Sequence, residues 1–140
     1  MYDRAGLQPK IGEIYMMQFS GEKHEQSGTR PGLIIQNNTG NKFSPNVIAL
    51  PLTTALKKQN MPTHVVVKAS AGGLRKDSMV LCEGPERMSK DRVRNYITTL
   101  GKHDMAKVAK ANLLASAMIS FLTLDELVQT WHEAVALNAT

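Results

Sequence analysis

At 140 residues the chain has the length of one ordinary domain, long enough to bury a hydrophobic core without a metal or disulfide to staple it. Its single cysteine, Cys82, excludes an intrachain disulfide and lies in an apolar run, where a buried and unreactive thiol is expected. No segment approaches the roughly 18 apolar residues that cross a membrane, and residues 1–10 hold no apolar stretch of the secretory type, so a soluble, cytoplasmic protein is expected.

The positive charge is concentrated in the middle of the chain. The net charge is +5, but residues 54–110 carry twelve Lys and Arg against five Asp and Glu, whereas residues 111–140 carry three acidic residues and no Lys or Arg. This asymmetry suits a polyanionic partner such as nucleic acid. A basic face that is simply solvated is the alternative.

Six short runs of apolar and β-branched residues predict strands. The first, residues 11–19, has alternating and then continuous apolar character before Ser20 and Gly21 end it. The other runs are residues 33–35, 47–52, 63–67, 78–82 and 96–100. A dense turn signal at residues 37–41 separates the second run from the third. Pro51 inside the third run indicates a sheet edge or a bulge.

After Gly101 the periodicity changes to that of a helix. One side of this helix carries apolar and small residues that suit packing on the strands. These residues are Met105, Val108, Ala109, Asn112, Leu113, Ser116 and Ile119. Leu114, Met118 and Phe121 fall on the opposite side, which therefore needs a second cover.

A second helix is predicted to begin at Thr123, because residues 123–126 have the spacing of a capping box. It carries a narrow apolar stripe, in which packing is a better explanation for the tryptophan than base stacking. The stripe consists of Leu124, Leu127, Val128, Trp131 and Val135. This helix could cover the first helix within one chain, or a partner subunit could cover both. The sequence leaves the two alternatives open.

Strands followed by helices indicate a mainly β domain with C-terminal helices, built on a small, strongly bent antiparallel sheet or barrel. Residues 1–9 are expected to form an N-terminal arm and residues 10–121 the domain. Residues 122–140 are expected to form a C-terminal helical extension.

Common catalytic motifs are absent from the sequence. There is no Cys and His set with zinc spacing, no phosphate-binding loop of the Walker type and no Gly-x-Ser-x-Gly turn. The four histidines are widely separated, at positions 24, 64, 103 and 132. We therefore expect neither a bound metal nor a cofactor.

A specific resemblance begins at residues 10–15, KIGEIY, and continues through residues 24–31, HEQSGTRP, into the apolar run LIIQN. Further on, PTHV at residues 62–65, KDS at 76–78 and DRV at 91–93 keep the same order and spacing. Over about residues 10–121 this pattern resembles the MazF/PemK/Kid family of toxin endoribonucleases.

The resemblance implies a compact SH3-like barrel of the MazF/PemK/CcdB type that forms a homodimer. It also implies a toxin that cuts single-stranded RNA at short sequences without a metal, and a MazE-like antitoxin that silences it. The chemistry implied is attack of a ribose 2′-hydroxyl on its own 3′-phosphate, which leaves a 2′,3′-cyclic phosphate and a 5′-hydroxyl.

Four residues match the catalytic positions of the family. Arg30 matches its catalytic arginine, and a planar guanidinium can make two charge-assisted hydrogen bonds to a phosphate. Thr53 matches its catalytic threonine, which could donate its hydroxyl to the same phosphate. Glu25 matches a loop glutamate, a candidate base or orienting group for Arg30. His24 matches the PemK/Kid branch and is a plausible proton shuttle near neutral pH.

The same resemblance assigns RNA contacts to six further residues. They are Gln26, Thr29, Thr54, Lys57, His64 and Glu83. After Glu83 the family usually continues with Gln and, two residues on, an arginine, but here the chain continues with Gly84 and Pro85 and the arginine is displaced to Arg87. Base contacts at this site therefore differ from those of the family.

Structural explanations compete with each catalytic assignment. Arg30 could be an ion-pair arginine at a strand start, and Thr53 a β-forming residue at a strand end. Glu25 could only hold its loop, His24 could face solvent, and His64 could be structural.

The sequence leaves two other functions open. The related CcdB toxins keep the barrel but poison gyrase without cutting nucleic acid, and a small barrel could also bind RNA or DNA through its basic face alone. The constellation around Arg30 favours the nuclease, because the gyrase poisons do not carry it.

Overall fold

The computed structural model describes residues 8–20 and 28–139. Within them the chain forms seven strands and four α-helices. The strands are β1 (Glu13–Gln18), β2 (Thr29–Ile34), β3 (Asn46–Thr53), β4 (His64–Val67), β5 (Ser78–Leu81), β6 (Glu86–Ser89) and β7 (Val93–Thr99). The helices are α1 (Asn38–Phe43), α2 (Ala69–Gly72), α3 (Lys102–Ser116) and α4 (Leu124–Leu137), with 3-10 turns at Lys90–Arg92 and Met118–Phe121.

All strand pairs of the described sheet are antiparallel. The order is β4-β5-β3-β2-β1-β7, with β6 pairing with β3 beside β5. No described pairing joins β4 to β7, so the expected barrel is a strongly bent sheet that is not closed. The prediction of a mainly β domain with C-terminal helices is confirmed.

Each face of the sheet buries its own hydrophobic cluster. Adjacent residues of one strand point to opposite faces, so Ile14 and Leu33 enter the first cluster while Tyr15 and Ile34 enter the second. Val108 and Ala111 of α3 complete the first cluster, and Met105 packs against it. Met105 and Val108 were predicted on the inner side of that helix, but Ala111 was not, and the predicted Ala109 and Leu113 are exposed. Burying each large side chain contributes about 1.5–3 kcal/mol, so these clusters hold the strands in register.

Cys82 is fully buried in the first cluster. Burial, helped by the neighbouring Glu83 carboxylate, raises the pKa of its thiol to about 12. The prediction of a buried and unreactive thiol is therefore confirmed.

Pro51 lies where β3 changes its neighbour on one side. The pairing with β6 ends at Ala49 and the pairing with β5 begins at Leu52, while Pro51 pairs with Gly32 of β2 on the other side. The strand is central rather than at the sheet edge, and the residue without an N–H occupies the gap between two partners.

The sequence patterns did not predict β6, α1 or the one-turn helix α2. β6 is short and only Met88 on it is buried, so its sequence carries no apolar alternation. In α1, the Asn37 side chain caps the helix by accepting a 2.8 Å hydrogen bond from the Gly40 N–H. Buried Asn41 donates to the Gln36 carbonyl at 2.8 Å. The residues interpreted as a turn signal therefore build a helix through side-chain hydrogen bonds.

The C-terminal helix has the predicted capping box. The Glu126 N–H donates to Thr123 Oγ1 at 3.1 Å, and the Thr123 N–H donates to Glu126 Oε1 at 2.9 Å. At its other end, α4 is fastened to α1, where Thr39 Oγ1 donates to the Leu137 carbonyl at 2.8 Å and the Asn38 N–H to Asn138 Oδ1 at 3.0 Å.

The apolar stripe of α4 is largely solvent-exposed in the single chain. Leu124 is 80% exposed and Trp131 is 60% exposed, and on the outer side of the preceding segment Phe121 is 82% exposed. The described part of the chain therefore does not cover these side chains. Of the two covers considered from the sequence, a partner subunit is the one that remains a prediction. Within residues 8–20 and 28–139, no helix has both the length and the apolar character needed to cross a bilayer.

Candidate active site

The sheet register brings Arg30 and Thr53 together. In the β2–β3 ladder Gly32 pairs with Pro51 and Leu33 with Leu50. Arg30 and Thr53 each lie two residues beyond the last pair of this ladder, Gly32 with Pro51, so the antiparallel register places them near each other at the same end. The two residues are twenty-three positions apart in the sequence and come from the ends of neighbouring strands.

Arg30 and Thr53 line one cavity of about 210 Å³. The remaining wall consists of Thr29, Pro31, Leu52, Thr54 and Ser78. Both Arg30 and Thr53 are half-buried, so their backbone is anchored in the sheet while their polar ends stay accessible. The cavity therefore offers a cation and a hydroxyl on a rigid support.

The bonding of these two side chains suits an anion. The Thr53 Oγ1 accepts a 3.1 Å hydrogen bond from the Ala55 N–H, which fixes the oxygen and leaves its own O–H as a donor. Among the described residues, no carboxylate lies within salt-bridge distance of Arg30. A phosphate in the cavity could therefore accept charge-assisted hydrogen bonds from the guanidinium and a further one from the hydroxyl.

Packing at Gly32 determines how β1 lies beside this site. A Cβ at Gly32 would be 2.6 Å from Met17 Sδ of β1 and 2.8 Å from Cζ of Phe19, which follows β1, so a larger residue at this position would displace both side chains. Met17 in turn pairs with Arg30 across the β1–β2 ladder. The close approach at Gly32 thus holds β1 directly against the strand that carries Arg30.

A second polar group, His64 with Glu83, lies outside this cavity. His64 Nε2 is 2.9 Å from Glu83 Oε2, and His64 Nδ1 is 2.9 Å from the Lys58 carbonyl oxygen. Lys58 is in the left-handed region, with φ of 56°, which a side chain disfavours. His64 therefore ties the strained loop between β3 and β4 to Glu83, two residues after the end of β5.

The two partners shift each other's pKa in opposite directions. Burial alone would lower the pKa of His64, but the hydrogen bonds to Glu83 and to the Lys58 carbonyl outweigh it and raise that pKa above 6.5. Burial alone would raise the pKa of Glu83, but the hydrogen bond from His64 outweighs it and that pKa falls below 4.5. Each shift favours the charged form of its group, so the two groups stabilise each other as an ion pair.

In the part of the chain that is described, no three His, Cys, Asp or Glu side chains are grouped so that they could hold a metal ion.

Residues 10–114 match the family model of the PemK-like, MazF-like toxins of type II toxin-antitoxin systems. The chain belongs to this family. The endoribonuclease EndoA of Bacillus subtilis is 38% identical over 113 residues, which are 80% of this chain and 97% of that protein. The endoribonuclease MazF of Staphylococcus saprophyticus is 40% identical over 101 residues, 71% of this chain and 84% of that protein.

Solved structures of the family share the fold. An endoribonuclease from Mycobacterial species, in complex with its cognate antitoxin, superposes with a TM-score of 0.65 at 26% identity. The superposition covers 79% of this chain and 96% of that one. The bent sheet with C-terminal helices is thus the fold of MazF toxins, as the resemblance implied.

The structure of this MazF-like toxin groups some of the predicted site residues and separates others. Thr29 and Thr54 line the same cavity as Arg30 and Thr53. Lys57 is exposed on the loop after β3, and its N–H donates to the Ala55 carbonyl at 2.9 Å.

His64 and Glu83 contact each other and do not line the Arg30 cavity. His24, Glu25 and Gln26 lie outside the described residues, so the roles predicted for them stay predictions.

Ser78 was missed by the sequence analysis. It is buried, lines the cavity, and donates from Oγ to the Lys76 carbonyl at 3.0 Å. The Lys76-Asp77-Ser78 run contributed to the family resemblance, and that match was the signal in the sequence that could have identified Ser78.

Proposed function

We propose that this toxin is a metal-independent endoribonuclease that cuts single-stranded RNA, mRNA included, at short sequences. The observation that carries the proposal is that Arg30 and Thr53 line one cavity of a MazF-like fold. Relatives that share 38% and 40% of aligned residues are named endoribonucleases, which supports the same activity here.

The proposed reaction is an internal transesterification. The ribose 2′-oxygen attacks the adjacent phosphorus, a new O–P bond forms, and the bond from phosphorus to the 5′-oxygen of the next nucleotide breaks. The 2′-proton must go to a base, and the departing 5′-oxygen must receive a proton. The products are a 2′,3′-cyclic phosphate and a free 5′-hydroxyl.

Arg30 and Thr53 are assigned to the phosphate. The pentacoordinate phosphorane carries an additional negative charge, which a fixed guanidinium stabilises more strongly than the ground-state phosphodiester. Thr53 donates its hydroxyl to a phosphate oxygen and orients the group for in-line attack. The Arg30 guanidinium thus provides the charge stabilisation that a metal ion supplies in other nucleases.

Glu25 and His24 are assigned to the proton transfers. A glutamate five residues before Arg30 in the sequence suits a general base or a group that orients Arg30, and an imidazole suits exchange of protons near neutral pH. Gln26, Thr29, Thr54 and Lys57 are proposed to contact the RNA around the cut.

The proposed assembly is a homodimer that an antitoxin inhibits. A related endoribonuclease has been solved in complex with its cognate antitoxin. The basic middle of this chain suits an acidic, MazE-like segment that folds on binding. Growth arrest on induction that coexpression of the cognate antitoxin does not relieve would contradict this part of the proposal.

Single substitutions at the cavity test the proposed function. Arg30→Ala should lower the rate of RNA cleavage by about 10²–10³-fold, because it removes the main stabilisation of the phosphorane. Thr53→Val, which keeps the shape and removes the hydroxyl, should lower the rate less. Gel-based cleavage of a long RNA in EDTA measures both.

Lys107→Ala is the control. Lys107 is an exposed cation of α3, a helix that does not line the cavity, so this variant should cut like the wild type. Full cleavage by Arg30→Ala, or equal losses in Arg30→Ala and Lys107→Ala, would overturn the assignment.

A further inference from the structure

A larger cavity of about 590 Å³ adjoins the Arg30 cavity. The two share Pro31, Thr54 and Ser78 in their walls, so they form one continuous depression. The volume lies within the range of about 300–1,000 Å³ that small-molecule sites occupy. Of the residues assigned to catalysis or to RNA contacts, only Thr54, in the shared wall, lines this second cavity.

The floor of the second cavity is apolar. Met16 of β1, Pro31 of β2 and Ile97 of β7 come from three adjacent strands, and Met16 pairs with Pro31 across the β1–β2 ladder. Leu74 adds a fourth apolar side chain and, with Ile97, packs against the first hydrophobic cluster. Such a floor matches the flat face of a nucleobase.

One wall of the cavity carries two cations. Arg75 and Lys76 are exposed and line the cavity, and neither forms a salt bridge with any residue of the described ranges. The neighbouring acid, Asp77, is paired with other residues. It accepts a 2.8 Å hydrogen bond from the Ala69 N–H and lies 3.6 Å from Lys68 Nζ. The wall therefore presents positive charge toward the cavity.

The loop that carries these cations is held in place on both sides. A Cβ at Gly73, where φ is 74°, would be 2.7 Å from Thr98 Oγ1, so the loop backbone lies directly against β7. At the other end, Ser78 Oγ donates to the Lys76 carbonyl at 3.0 Å. The backbone that carries the two cations is thus held in place, which lowers the entropic cost of binding an anion there.

A single amide completes the cavity. Asn95 lines it, lies on the same face of β7 as Ile97 and is exposed. Its carboxamide has no hydrogen-bond partner among the described residues and offers both donors and an acceptor, the combination that reads a base edge.

We propose that this second cavity binds a nucleotide of the RNA that flanks the cut. Its base rests on Met16, Leu74 and Ile97, its edge bonds to Asn95, and the neighbouring phosphates lie on Arg75 and Lys76. The inference rests on the proposed function, because it is the continuity with the Arg30 cavity that favours RNA over an acidic protein segment on the same cations.

Affinity and cleavage together test the inference. The double variant Arg75→Ala/Lys76→Ala is compared with Lys107→Ala/Lys110→Ala, which removes two exposed cations of α3 outside both cavities. Binding of a fluorescent single-stranded RNA is measured from 50 to 300 mM salt in an Arg30→Ala background, so that the probe stays intact. Cleavage is measured with Arg30 present.

The cavity variant should lose about 1.4 units from the slope of log affinity against log salt, two single-strand phosphate contacts, while the control keeps its slope. With Arg30 present, the same variant should raise KM more than it lowers kcat. Asn95→Ala should relax the base preference at one position beside the cut in the mapped ends and leave the salt slope unchanged.

Three results separate the failures. If the protein with Arg30 does not cut RNA at all, the proposed function fails. If it cuts but the cavity variant matches the control in slope and KM, only this inference is overturned. If the cavity variant binds RNA normally but no longer binds the acidic antitoxin, the cations belong to a protein contact and the inference is again overturned.

Discussion

His64 joins two parts of the chain through both of its ring nitrogens. The Lys58 carbonyl can only accept, so Nδ1 carries a proton there, and a further proton lies between Nε2 and Glu83 Oε2. When Glu83 is ionised, that proton is on Nε2 and His64 is an imidazolium. The loop that His64 holds follows Thr53 and contains Thr54 and Lys57, so the pair anchors a loop beside the candidate active site.

The stability of the protein should therefore depend on pH at His64. Because the pKa of His64 is raised in the folded state, its contribution is complete below 6.5 and is lost as the pH rises through the folded value. Because the pKa of Glu83 is lowered, its contribution is complete above 4.5 and is lost as the pH falls. The pair should stabilise most between these values.

Thermal unfolding of wild type and His64→Gln across pH 5–9 measures this dependence. The difference in melting temperature should be largest near pH 5–6 and should shrink toward pH 9. His103→Gln, at an exposed position of α3, should show no such change. A difference between wild type and His64→Gln that does not vary with pH would contradict the imidazolium.

At the scale of elements, α4 is a helix that local interactions define and tertiary packing barely supports. Its capping box closes the first turn, its C-terminal end is bonded to α1, and most of its apolar stripe is exposed. Helix stability usually comes from a buried face. In the single chain, the capping box of Thr123 and Glu126 must therefore contribute an unusually large share of the stability of α4.

Thr123→Ala should loosen α4 without unfolding the domain. Loss of the N-cap should lower the hydrogen-exchange protection of the α4 amides about fivefold, while the thermal midpoint of the whole protein stays close to that of the wild type. Thr130→Ala, at an exposed position in the middle of the same helix, is the control and should not lower protection. Unchanged α4 exchange in Thr123→Ala would show that the cap is not what holds the helix.

The elements that sequence patterns predict best are those with their own local signal. Thr123 and Glu126 define a start by their spacing alone, and helical periodicity predicts Met105 and Val108 on the inner side of α3 but not Ala111. β6 has no such signal, because it is a strand only by pairing with β3. α1 looks like a turn until Asn37 and Asn41 are seen to bond to nearby backbone groups.

At the scale of the whole molecule, the candidate site is a product of register. The sequence resemblance predicts Arg30 and Thr53 individually, but their meeting depends on how β2 pairs with β3. Ser78 and the adjoining apolar cavity were not predicted, because they are assembled from β1, β2, β7 and a loop that are distant in sequence. His64 and Glu83 were predicted as separate RNA contacts, and their contact with each other has no signature in either local sequence.

The account depends on RNA chemistry that Arg30 and Thr53 perform without a metal. The most direct measurement is to incubate the purified protein with a long single-stranded RNA in excess EDTA and to map both ends of every product. We predict cuts at one recurring short sequence, with 2′,3′-cyclic phosphate and 5′-hydroxyl ends. RNA that stays intact at high protein concentration, or products with 5′-phosphate ends, would contradict it.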